Sequence, residues 1–148
     1  MSAFTDQCED DILDLLFTNV DAPNWGDAAG LQNSATEGSM NISLHTGDAI
    51  GDTTTSQATS ECAYTGYSRQ TVGRNVSGWT VSAGTVDNDA LIQFGEATAG
   101  TPETVTDVGL AGLNTAYLQI WGQVTSDLVV NVGVNPQFAA GSLDISLN

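Results

Sequence analysis

Two of the 148 side chains are Lys or Arg. They are Arg69 and Arg74, and both lie in one stretch, ECAYTGYSRQTVGRN, residues 61–75. Eighteen Asp and Glu residues oppose them, for a formal net charge of −16. An arginine beside tyrosines can stack on a ring and fork two N–H donors onto a carboxylate. On a strand, Tyr67, Arg69 and Thr71 share one face. Arg69 is thus placed to stack on Tyr64 or Tyr67 and to pair with an acid. A surface pair contributes ~0–1 kcal/mol, whereas breaking a buried pair from one side costs about 3–5 kcal/mol. This spacing assigns Arg69 to holding the fold. Arg74 follows Gly73 near a strand end and is expected to be the arginine left to face a partner.

Other chemistry is thinly supplied. A Ser–His–Asp unit would need His45, the single histidine, as its base. His45 sits in the alternating segment MNISLHT (40–46), opposite Met40, Ile42 and Leu44, where an exposed or hydrogen-bonded strand histidine is the simpler reading. Carboxylate pairs of the glycosidase kind can be drawn anywhere among 18 acids and so select nothing. No glycine-rich phosphate loop precedes a helix. Asp87 and Asp89 in VDNDA form a weak Ca²⁺ candidate with an Asn88 carbonyl oxygen, although the same residues make an ordinary turn. No other metal and no cofactor is indicated. Tyr117 and Trp121 fall with Gln119 on one face of YLQIWGQV. That face is either a contact surface or a second buried face.

Composition narrows the partners. A nucleic-acid binder neutralises phosphates with Lys and Arg, so this chain is expected to bind neither nucleic acid nor an anionic membrane. The start, MSAFTDQCEDD, lacks the basic and apolar regions of a signal peptide. No apolar run reaches the ~18 residues of a membrane span. Synthesis in the cytosol is expected, with Cys8 and Cys62 unpaired.

The elements that must position these residues are mostly strands. Residues 5–18 predict one helix, capped by Thr5, with an apolar stripe of Cys8, Ile12, Leu15 and Leu16. Strand patterns follow at 40–46, 67–74, 78–82, 90–95, 105–110, 116–124, 127–134 and 142–147. Ala90, Ile92 and Phe94 are expected inward, as are Leu128, Val130, Val132 and Val134, and Leu143, Ile145 and Leu147. SAGTVDND reads as a turn region, and the polar stretch 47–61 as an exposed, mobile loop. The whole chain reads as one mainly β domain: an antiparallel, jelly-roll-like β-sandwich with an N-terminal helix.

Set in this order, Leu44-His45-Thr46-Gly47-Asp48, Tyr67-Ser68-Arg69, Trp79, Phe94 and the final FAAGSLDIS resemble small structural proteins of tailed bacteriophages. Such proteins include capsid cement or decoration proteins and are often labelled tail-fibre proteins. The resemblance implies a non-enzymatic virion protein, made in the host cytoplasm, that binds the major capsid protein on the outer head surface as a homo-oligomer and stabilises the shell. A tail-fibre or baseplate-associated role is the structural alternative. A carbohydrate-binding sandwich using Trp25, Trp79 or Trp121 is the alternative of another class.

Overall fold

Thr5 stands in extended backbone, and its hydroxyl accepts the Cys8 N–H at 3.4 Å, giving the expected helix cap. In the computed structural model, which describes residues 4–112 and 117–147, helix α1 runs Asp6–Leu13, with Asp6 and Glu9 in its first turn. It widens into a π-helical turn over Asp14–Thr18 and ends at Asn19 in the left-handed conformation. Leu13 and Phe17 are fully buried, and the Phe17 ring meets Trp79 edge-on at 5.0 Å. The expected stripe is therefore displaced. Leu16 is exposed, and Ile12, Leu15 and Leu16 line an open apolar groove with Phe4, Trp25 and Leu31.

The strands are β1 (Ser39–Thr46), β2 (Gln70–Gly73), β3 (Trp79–Ser82), β4 (Thr85–Asn88), β5 (Ile92–Gln93), β6 (Glu103–Gly112), β7 (Ile120–Val130), β8 (Gln137–Phe138) and β9 (Asp144–Ser146). The protein is mainly β, as the strand spacing predicts. Two compact units are formed. The first draws on the chain up to Gly38, on Gly73–Ile92 and on the chain from Phe138; the second draws on Ser39–Val72 and Gln93–Gln137.

The first unit carries a three-stranded antiparallel sheet, β3-β4-β9. The supposed turn at Asp87 is a strand instead, with Asp87 opposite both Thr80 and Asp144. Asn88 explains why a turn-like sequence becomes a strand end. Its buried amide donates to the carbonyls of Ala90 and Ala139 at 2.7 and 2.8 Å, and its Oδ1 accepts the N–H groups of Ser142 and Leu143. One side chain thus satisfies four backbone groups that the local sequence leaves open. Leu143 is buried as expected, and Ile145 and Leu147 are half-buried, whereas Ala90 is exposed.

The second unit carries a four-stranded sheet, ordered β2-β1-β6-β7. Met40, Ile42 and Leu44 are buried on one face of β1, as the alternation predicts, but Ser43 and His45 on the other face are buried too. The cause is residues 47–61, which are not a free loop. Asp48 N–H donates to Thr106 Oγ1, Gln57 Nε2 to the Asn41 carbonyl, and Trp121 Nε1 to Asp52. These bonds lay the segment over the polar face of the sheet. Thr106 itself sits at an irregularity in the register between Val105 and Asp107. The patterns at 116–124 and 127–134 merge into the single strand β7; position 116 lies outside the described residues. Only Val130 of the four valine and leucine positions expected inward there is fully buried; Leu128 is exposed beside the register irregularity, and Val132 is exposed beyond the end of β7.

Asn88→Ala removes all four bonds and strands buried backbone groups. It should lower stability by about 2–3 kcal/mol, read as a melting temperature lower by roughly 5–10 °C. An unchanged melting curve would show that Asn88 does not hold the strand end.

Candidate functional site

Glu61 is where the sequence-predicted residues converge. Arg69 forks onto it, Nε to Oε1 and Nη2 to Oε2, both at 2.7 Å. Tyr67 adds its hydroxyl to Oε1 at 2.8 Å, and the same hydroxyl accepts the Leu44 N–H of β1 at 3.1 Å. Glu61 ends the covering segment, and its neighbours pair with β1 through Thr46 N–H to Ser60 O and Cys62 N–H to Leu44 O. The Tyr67 ring packs edge-on to Tyr64 at 5.3 Å and stacks on Phe94 at 6.0 Å. Arg69 is 28% exposed and Glu61 14%, so the pair lies between the surface and buried limits.

The electrostatics follow from this packing. The Glu61 bonds hold the Arg69 guanidinium charged, with its pKa raised. Burial pushes the Tyr67 hydroxyl up and raises Tyr64 to about 12. Cys62 is pushed up to about 12 by burial, with Glu103 beside it. Cys62 and Cys8 are both free thiols.

Under the covering segment lies a buried polar group that the sequence did not reveal: Ser43, His45, Gln57 and Asp107. His45 Nδ1 lies 2.8 Å from the Thr59 carbonyl. A carbonyl only accepts, so Nδ1 carries the hydrogen, and Nε2 of the neutral ring accepts from Ser43 Oγ at 2.8 Å. The residue types are those of a hydrolase triad; the geometry is not. Nδ1 faces a backbone carbonyl rather than Asp107, and the Ser43 hydroxyl is wholly buried. There is also no space beside it. A Cβ on Gly109 would meet His45 Nε2 at 2.7 Å and Ser43 Oγ at 3.1 Å. His45 is therefore a strand histidine that is hydrogen-bonded but not exposed. Its position directly opposite Asp107 across β1 and β6 could not be read without the strand pairing.

Arg74 is not the free arginine expected from its place at a strand end. It lies in the first unit. Its guanidinium donates to Asn19 Oδ1 and to Ser34 Oγ, its backbone N–H donates to the Gly38 carbonyl, and its Nε is buried. The left-handed Asn19 that ends the helical segment supplies the acceptor, a long-range contact with no signature in GRN. The Asp87–Asp89 candidate is also reshaped. Asp89 Oδ1 accepts from Thr80 Oγ1 at 2.6 Å, and both side-chain ends of Asn88 are occupied by backbone. Among the described residues, no group of three or more His, Cys, Asp or Glu is placed to hold a metal.

The aromatic residues separate. Trp79 is core and offers no face to a sugar. Tyr117 is 68% exposed and Trp121 36%, on the side of the sheet where 47–61 lies. Trp121 reaches Asp52 at 3.2 Å, and Tyr117 bridges to Ser56. No helix among the described residues is long and apolar enough to cross a membrane.

The model of a family described as podophage GP4 fiber I protein gp80 matches residues 3–146. No curated protein matches the chain.

Two outcomes follow from the geometry. Tyr67→Phe deletes the hydroxyl shared by Leu44 and Glu61 and should cost about 1–2 kcal/mol in denaturant unfolding; an unchanged midpoint would remove Tyr67 from the node. Burial lowers the His45 pKa below its ordinary 6.5, so the unfolded chain takes up that proton first. The His45 contribution is complete above about pH 6.5 and is lost as pH falls toward the folded value, by at most about 1.4 kcal/mol per pH unit. Melting temperatures measured from pH 7 downward should fall less steeply in His45→Gln than in the parent; equal slopes would contradict this.

Proposed function

The chain belongs to this podophage fibre family, and on that premise we propose that it is a non-enzymatic structural component of the virion fibre. The observation that carries the reading is the family match over nearly the whole chain, residues 3–146. The geometry agrees with it. The buried Ser43–His45 pair offers no reachable nucleophile, and both arginines are engaged within the protein. The excess of carboxylates suits a particle exterior and would be repelled by packaged nucleic acid.

The net charge of −16 favours any exterior position, and a head-decoration role bound to the major capsid protein is the second reading. Its mechanism would be contact area bridging neighbouring shell subunits, which stabilises the assembled state by mass action. Gold-labelled antibody against the protein, imaged on intact particles, separates the two. Label on the fibres supports the proposal. Label spread over the heads establishes decoration instead, and particles without label would remove the protein from the virion exterior.

A further inference from the structure

The first unit leaves an apolar groove uncovered. Its large lining side chains are Phe4, Ile12, Leu15, Leu16, Trp25 and Leu31. Phe4, Leu16, Trp25 and Leu31 are exposed, and the space between the walls is about 420 Å³. Exposed apolar clusters of this kind mark binding surfaces. Both walls are fixed. One is the helical segment. The other is a loop closed by two hydrogen bonds between Ala22 and Leu31, at 2.9 and 3.0 Å. Asn24 Nδ2, next to Trp25 in the chain, donates to Asp11 Oδ2 at 2.9 Å and ties that loop to α1. The walls are thus in place before anything binds, which lowers the cost of binding.

Charge decides the occupant. Residues 4–31 hold seven of the chain's 18 acids and no Lys or Arg. Asp11 and Asp14 directly precede Ile12 and Leu15, and Asp27 lies two residues past Trp25. Successive Cα atoms are about 3.8 Å apart, so these acids flank the groove within roughly one screening length. Among the described residues the ion pair is Glu61 with Arg69. Arg74, the one Lys or Arg of the first unit, donates to the neutral Asn19 and Ser34. The flanking acids therefore have no cation of their own. A small ligand would need convergent polar groups to orient it, and the lining supplies only the Trp25 indole N–H. A second copy docked groove to groove would bring the same acids together, and an anionic membrane would be repelled as well. The complementary occupant is apolar along one face and cationic beside it. The Trp25 ring can also take a cation on its face.

We propose that this groove docks a basic amphipathic segment of another protein. Its apolar side chains enter between the helical segment and the 22–31 loop, and its Lys or Arg side chains meet the flanking acids. This inference does not rest on the fibre reading.

The test is fluorescence anisotropy of the full chain with three labelled peptides about 14 residues long. One contains only Leu and Lys, with Leu on a single helical face. The second has the same composition in scrambled order, and the third has Glu in place of Lys. The patterned Leu/Lys peptide should bind at least about tenfold more tightly than the scrambled one, and more tightly at about 0.1 M than at about 1 M NaCl. The Leu/Glu peptide should not bind. Leu16→Glu adds an acid, so charge alone would strengthen binding of the Lys peptides. The groove instead requires a loss of at least about tenfold, at the parent melting temperature, because Leu16 is already 45% exposed. Leu31→Glu, in the other wall, should lose binding likewise. Val76→Glu adds the same charge elsewhere in the first unit and should bind like the parent. Equal affinity for patterned and scrambled peptides, or undiminished binding by both groove variants, would overturn the proposal. Phosphatidylcholine vesicles that capture the parent but not Leu16→Glu would also overturn it, by making the groove a membrane contact.

Discussion

The Glu61 carboxylate is the contact on which the second unit depends. It accepts two bonds from Arg69 and one from Tyr67, and the Tyr67 hydroxyl takes a backbone N–H of β1. Glu61 stands at the end of the segment that covers the polar face of the sheet. Fixing it fixes that segment at its C-terminal end, while Asp48 and Thr106 fix it at the start. Between these anchors Thr59 meets His45 and Gln57 meets Asn41. Ser43, His45 and Asp107 are buried because the segment is held down, not because their own sequence is apolar. This answers why so acidic a chain retains Arg69: a carboxylate inside a half-buried aromatic cluster needs a fixed counter-charge.

The second arginine shows the same constraint in another form. Arg74 joins the end of the helical segment to the chain near Ser34. With both arginines engaged internally and no lysine present, the surface has almost no cationic side chain to offer.

Much of the fold is legible in local pattern. Thr5 before an acidic run predicts the helix start, and Met40-Ile42-Leu44 predicts β1. Tyr67 and Arg69, two residues apart, predict a shared carboxylate, though not that it would be Glu61. The misses have a common physical origin. The helix buries Leu13 and Phe17, the latter against Trp79, and that long-range contact is not announced by DLLFT. VDND reads as a turn because Asp and Asn favour turns, yet Asn88 ends a strand by bonding to residues more than 50 positions away. The segment 47–61 looks solvated because its side chains are small and polar, and its hydrogen bonds reach residues up to 75 positions distant. Long-range polar contacts leave no periodicity, so alternation cannot reveal them.

The most direct measurement of the central claim is a double-mutant cycle between Glu61 and Arg69, using Glu61→Gln, Arg69→Gln and the double variant in denaturant unfolding. The pair is partly exposed, so its coupling should fall between the surface and buried limits, at about 1–3 kcal/mol, with each single variant clearly destabilised. A coupling near zero, with either single variant as stable as the parent, would show that the covering segment is held by other contacts and that the carboxylate node does not organise the unit.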